Sequence, residues 1–185
     1  MTVDLFEAQP SLDSEPQAID VDANVAAGDL GRGMMFGEYE SMVAIYKIVP
    51  TFVPKPTGWG TFESNKDLHF FLCDFHEMDL DLPNVNKFTA CLAELHRKST
   101  SPNGKWGFHI MTYNGTLPQL NDWTDTWEEY FTSNFKHFLE MEQEVQGPAT
   151  EELAELSRAM LEKVIPRLLR PMETGGRHIE PSLIQ

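Results

Sequence analysis

No lysine or arginine occurs before Arg32, although Asp4, Glu7, Asp13, Glu15, Asp20, Asp22 and Asp29 all fall in that stretch. Over the whole chain Lys+Arg 14 stand against Asp+Glu 29, a formal net charge of −15. Such a shortage of cations excludes a nucleic-acid binder, whose affinity comes from basic groups neutralising phosphates. It also excludes a cationic membrane-surface module. Two cysteines cannot build a disulfide framework, and a cytoplasmic setting is the expectation. No apolar run approaches the roughly 18 residues of a membrane span, and no secretory h-region is visible at the N-terminus. Walker A and Gly-x-Ser-x-Gly signatures are lacking, as is any Cys-x-x-Cys or His-x-x-x-His pair. Cys73, His76 and Cys91 come nearest to a metal cluster, but both cysteines sit in apolar surroundings where a free thiol behaves as a small hydrophobe. No metal ligands are therefore assigned.

What is present is an ordinary globular balance, 41% hydrophobic and 23% charged residues in 185. Residues 1–30 read as an acidic, disordered tail, too poor in periodic apolar residues to offset their ordering entropy. A weak edge strand around Ala18–Val25 is the alternative. From Gly33, Met34, Met35, Glu38, Met42, Ile45 and Ile48 recur at helical spacing up to Pro50. Thr57–Glu63 and His69–Phe75 read as two strands of a β-hairpin turning at Ser64–Asp67. An acidic linker, Glu77–Leu82, is expected to be the junction of two lobes. Beyond it Val85, Phe88, Cys91, Leu92 and Leu95 share a helix face ending near Lys98. Trp106–Gln119 lacks clear periodicity, and Asn114-Gly115-Thr116 reads as a chance glycosylation sequon. A long helix is expected from Asp122 or Thr124 to Gly147. A last one should start near Pro148 and be kinked or split by Pro166. Strands early and helices late predict an α+β fold with a partial N-lobe over 31–78 and a helical lobe over 79–185.

One arrangement points to chemistry. A helix carrying Glu38 precedes the hairpin, and the second strand runs out into Asp74-Phe75-His76. In kinase-like folds a helical Glu pairs with a strand Lys that orients ATP phosphates. Adenine then rests on the backbone of the segment leaving the last strand. The alternative is a solvated helix glutamate beside Glu40.

Further along, Leu92-Ala93-Glu94-Leu95-His96, Trp106-Gly107-Phe108-His109, Gly115-Thr116-Leu117-Pro118-Gln119-Leu120-Asn121-Asp122-Trp123, Trp127 and Phe131 follow one another. Together with Met35-Phe36-Gly37-Glu38 and Val53-Pro54-Lys55-Pro56, this ordered set resembles the fructosamine/ketosamine-3-kinase family. The run Lys163–Pro171 looks most like its fungal branch. The resemblance covers about Gly31 to the last residue. It implies a two-lobed kinase-like fold, ATP and Mg²⁺, and phosphorylation of the 3-hydroxyl of ketosamines on glycated proteins or small amines. Carried over residue by residue, it implies that Glu38 is the αC glutamate and Asp74-Phe75-His76 the adenine-holding hinge. Gln119, Asn121 and Trp127 fall on the substrate side, with Trp127 alternatively a core anchor and Gln119 a loop brace.

The departures from that pattern are equally specific. The stretch leading into the Glu38 helix, Asp29-Leu30-Gly31-Arg32-Gly33, follows a lysine-free segment where the family has a strand lysine. Ile179-Glu180-Pro181-Ser182-Leu183 resembles the segment before the family's H-G-D-L-W catalytic loop, which these residues do not contain. The expectation is a chain truncated at both ends with no assigned catalytic residue, inactive by itself. A non-catalytic kinase-like binding protein and a degenerate fragment are the alternatives.

Overall fold

A computed structural model describes residues 21–77, 82–176 and 179–182. The described residues form two compact units. One comprises those up to Lys98 with Thr112–Leu117, and the other Ser99–Met111 with those from Pro118 onward. The boundary expected at Glu77–Leu82 therefore moves: α2 (Val85–Lys98) belongs to the first unit. The physical reason is aromatic packing, since Phe88 of α2 meets Phe52 with ring centroids 5.6 Å apart.

In the first unit β1 (Val21–Ala27) is followed directly by α1 (Gly28–Ile48), then β2 (Pro56–Thr61) and β3 (Leu68–Asp74). The three strands form an antiparallel sheet in the order β1-β3-β2. The expected tail to residue 30 is thus corrected: 21–27 is an edge strand, while 1–20 lie outside the described residues. An edge strand of mostly small residues persists because its partner supplies the larger apolar surface, in unbroken register from Val21↔Asp74 to Ala27↔Leu68. The switch from strand to helix needs a left-handed residue, and Gly28 takes φ +73° there while its N–H bonds the Asp67 carbonyl at 2.8 Å.

Strand β3 alternates strictly, burying His69, Phe71 and Cys73. Met35 of α1 completes a core with Phe71 and Cys73, against which Ala26, Met34, Tyr39 and Met42 pack. Phe71, 1% exposed, is the largest fully buried side chain described. Buried His69 shares a 2.8 Å hydrogen bond with Thr61 Oγ1 across the hairpin. The hairpin, α2 and the hydrophobe-like burial of Cys73 agree with the sequence reading.

Elsewhere two short strands, β4 (Thr112–Asn114) and β5 (Leu117–Gln119), pair within a stretch read as irregular. In the second unit α3 (Trp127–Gln146) starts later than expected. Thr124 is held in a β-bridge to Trp106, and Thr126 caps the helix by accepting from Glu129 N–H at 3.1 Å. The last helix is indeed split. After α4 (Glu151–Ala159), capped by Thr150, comes a π-helical turn, Met160–Val164, and then α5 (Ile165–Thr174). Pro166 has no N–H and its ring crowds the carbonyl four residues back, so the helix widens just before it. Ile165 N–H accordingly reaches Met160 O, five residues back.

Phe71→Ala should cost about 3–5 kcal/mol in urea denaturation, because it empties the centre of the first core. Leu156→Ala, at a site 58% exposed, should stay within about 0.5 kcal/mol of wild type.

Candidate active site

Glu38 lies on the stripe of α1 that faces the sheet. Residues 31, 35, 38 and 42 follow the i, i+3/i+4, i+7 rule, and Gly31 and Met35 are buried while Met42 packs on the core. The Glu38 carboxylate is only partly covered there and takes a hydrogen-bond donor from the strand. Asn24 of β1 supplies one, donating from Nδ2 to Glu38 Oε1 at 3.2 Å. The strand register explains the meeting. Asn24 stands opposite Phe71, and residues directly opposite in an antiparallel pair share a sheet face. Phe71 packs under α1 on that face, and Asn24 lies on the same side at the exposed edge of the sheet.

Two of the three hinge residues predicted from sequence lie just past the sheet. Asp74 closes β3, its N–H bonded to Lys55 O at 2.9 Å, and Phe75, 53% exposed, and His76 follow as exposed extended chain. Asp74's backbone donor is thereby taken, leaving recognition of a ring by main chain to the residues after it. Glu38 and the 74–76 segment both belong to the first unit.

The three residues expected on the substrate side lie in the second unit and do not share one role there. Asn121 is buried at 6% exposure, and its amide is occupied by the fold. Nδ2 donates to Ile110 O at 3.0 Å, and Oδ1 accepts from Tyr130 O–H at 2.8 Å. Burial pushes the Tyr130 phenol above its ordinary value. Trp127 opens α3 within an aromatic cluster, with centroids 5.2 Å from Trp106, 5.5 Å from Tyr130 and 5.9 Å from Phe131. Gln119 ends β5, half-buried. Beside Asn121 opens a recess of about 260 Å³, bounded by Phe108, His109, Met111, Asp122 and Trp123. An aromatic face next to a carboxylate and an imidazole suits a polyhydroxylated ligand.

Some positioning residues were missed by the sequence reading. Glu173 Oε1 accepts from Trp106 Nε1 at 3.1 Å and from Trp127 N–H at 2.8 Å, tying α5 to the start of α3. Asn134 grips Leu120 from both sides, Nδ2 to O at 2.8 Å and Oδ1 from N–H at 3.1 Å. No local pattern marks either residue, because both act over 14 or more positions of sequence. Arg170 and Glu128 form a two-pronged pair, Nε–Oε2 2.8 Å and Nη2–Oε1 2.7 Å. The Arg170 guanidinium holds the Glu128 carboxyl below its ordinary range, partly offset by desolvation.

Among the described residues no three His, Cys, Asp or Glu side chains gather where they could hold a metal ion. These residues therefore do not by themselves fit Mg²⁺. No helix among them is long and apolar enough to cross a membrane.

A helix laid on an antiparallel sheet, with a glutamate hydrogen-bonded to the strand before it and followed by helices, is the arrangement of a kinase-like fold. The chain belongs to the fructosamine kinase family, whose model matches residues 27–185. It is 29% identical over 107 residues to the chloroplastic protein-ribulosamine 3-kinase of Oryza sativa subsp. indica, covering 58% of this chain and 30% of that protein. To the ketosamine-3-kinase of Mus musculus it is 28% identical over 163 residues, covering 77% and 52%. Its fold matches solved structures assigned to fructosamine-3-kinase from Thermobifida fusca YX-ER1, with TM-score 0.60 and 19% identity, and from Haemophilus somnus 129PT, with 0.57 and 20%. These matches cover 86% and 79% of this chain but 49% of each solved chain. The chain thus spans about half or less of the length of the relatives it matches.

Asn121→Ala strands the Ile110 carbonyl and the Tyr130 hydroxyl in a buried site, and should cost about 1–3 kcal/mol by urea denaturation. For Glu128 the folded pKa is depressed, so its contribution is full above the ordinary carboxylate range and is lost as pH falls through the lowered value. The melting temperature of wild type should exceed that of Glu128→Gln at neutral pH. The gap should close as a pH series of thermal melts descends below that range.

Proposed function

We propose that these residues are the nucleotide-side lobe and part of the substrate-side lobe of an ATP-dependent ketosamine 3-kinase acting on glycated amines. The observation that carries this reading is Glu38: a glutamate on the sheet-facing stripe of α1, met by a residue of the preceding strand, in a chain of this family. In the reaction the ketosamine 3-hydroxyl oxygen forms a bond to the γ-phosphorus and the bond from that phosphorus to the ADP oxygen breaks. The hydroxyl proton passes to a carboxylate base. Adenine would lie along the backbone of Phe75 and His76, and the sugar adduct in the recess bounded by His109, Asp122 and Trp123. Asn121 and Trp127 then shape that recess and its helix rather than contact the sugar. Gln119 stands at its approach. A cytoplasmic setting for the two free thiols completes the reading.

The 185 residues contain no His-Gly-Asp sequence, and β1, β2 and β3 contain no lysine or arginine. Neither the proton acceptor nor the strand cation of phosphoryl transfer is therefore among them. As a polypeptide of these residues alone the protein binds an adenine ligand without turning over. That charge pattern also favours a second reading, a kinase-like binding module with no transferase activity.

The test is calorimetric titration of the 185-residue polypeptide with adenosine and with Mg-ATP, with ³¹P NMR of a lysine ketosamine incubated with Mg-ATP. Adenosine should bind, and His76→Pro, which deletes one backbone donor from an exposed segment, should weaken it at least about tenfold, the loss of one well-placed hydrogen bond. Absence of any adenine binding defeats the nucleotide-lobe reading. Appearance of a sugar phosphate defeats the inactivity of this polypeptide.

A further inference from the structure

Asn-Gly occurs twice in the chain, at Asn103-Gly104 and Asn114-Gly115. As bare dipeptides the two are equals. All four residues are exposed, and Gly104 and Gly115 take φ +71° and +61° with nothing within 4 Å of where a Cβ would stand. In each pair the glycine nitrogen has no Cβ beside it to shield it. That nitrogen, on losing its proton, can attack the carboxamide carbon Cγ of the asparagine before it. The new N–Cγ bond closes a succinimide ring and ammonia leaves. Water then opens the ring at one carbonyl or the other, giving aspartate or isoaspartate, the latter with its main chain routed through Cβ and Cγ.

The structure separates the two sites by what holds the carboxamide. Asn103 is tied down. Its Oδ1 accepts from Lys105 N–H at 3.0 Å and lies 2.9 Å from Ser101 Oγ, whose hydroxyl also reaches Lys105 O at 2.6 Å. Ring closure at Asn103 must swing the carboxamide out of that net. Among the described residues none hydrogen-bonds the Asn114 side chain. Asn114 is the last residue of β4, where the chain reverses through Gly115-Thr116 into β5. Each of these strands is three residues long and pairs only with the other, and so short a two-stranded ribbon opens readily at its tip. The neighbouring Tyr113 faces Gly33 of α1, where a Cβ would stand 3.0 Å from the Tyr113 Cζ. An altered main chain at Asn114 therefore falls next to a helix contact.

We propose that Asn114 is a site of spontaneous backbone modification, passing through a succinimide to aspartate and isoaspartate, while Asn103 is held back by its hydrogen bonds. The inference is independent of the adenine-binding reading. The experiment incubates the 185-residue polypeptide at mildly alkaline pH, folded and in urea, and follows both asparagines by mass spectrometry. Trypsin places them in separate peptides, ending at Lys105 and Lys136. Fragment sequencing locates each amide-to-acid conversion, and methyl transfer from S-adenosylmethionine by an isoaspartyl methyltransferase counts the isoaspartate. In the folded chain Asn114 should convert about fivefold faster than Asn103 or more, the worth of one net hydrogen bond. In urea the two rates should converge. Ser101→Ala, checked by circular dichroism, should speed conversion at Asn103 about twofold or more and leave Asn114 as in wild type. Equal rates in the folded chain, or faster conversion at Asn103, overturn the proposal. So does an Asn114 that stays intact in the folded chain while converting in urea, because the ladder then protects it. An unchanged Asn103 rate in folded Ser101→Ala overturns the part assigned to the hydrogen bonds.

Discussion

Helix α1 can lie on the sheet because Gly31 has no side chain. A Cβ there would stand 2.7 Å from the carbonyl carbon of Ala26, the penultimate residue of β1, far inside contact distance. The approach is needed because β1 runs straight into α1, so the helix must fold back over the strand it has just left. Once it is seated, helical spacing does the rest. Met35 falls over Phe71 and Cys73, and Glu38, one turn further along, arrives above Asn24. The placement of Glu38 thus follows from a glycine seven residues earlier.

The second unit is organised on a different basis. Around Trp106 and the start of α3 its packing is aromatic, and aromatic rings stack in many ways. Polar side chains choose among them. Glu173 fixes Trp106 and the first turn of α3 with one oxygen, and Asn121 links Ile110 to Tyr130 with its two amide groups. Such buried groups cost stability unless fully satisfied, and in return they admit a single arrangement. This changes the meaning of the family pattern in this chain. Asn121, which the resemblance places on the substrate side, holds a wall of the recess in place through Ile110 and Tyr130.

What was legible in the sequence was local. The stripe of α1, the β2–β3 hairpin and α2 each carry their period within a window of a dozen residues, and all three were read at or near their observed limits. So was the conflict at Pro166, although only the structure shows that the helix resolves it with a π-helical turn. The missed elements depend on distant partners. Val21–Ala27 has the composition of a tail and becomes a strand through β3, more than forty residues later. The β4–β5 hairpin is a different failure, since its signal was present. Asn114-Gly115 is a strong turn dipeptide, and Gly115 does take φ +61° at the reversal. It was set aside as a sequon. For the site, Glu38 was visible as a polar residue within an apolar stripe. Asn24 was invisible, because only the β1–β3 register carries it to the helix face.

That register also separates two properties that a strand lysine would combine. Holding an αC-type glutamate against the sheet requires a hydrogen-bond donor of suitable reach, and an amide supplies it. Gripping phosphate requires positive charge, and an amide supplies none. In a chain carrying −15 overall, none of the three strands supplies a lysine or arginine, and the Arg32 guanidinium lies over Trp59. The first unit keeps α1 on its sheet through the Asn24–Glu38 hydrogen bond and the packing of Met35 on Phe71 and Cys73.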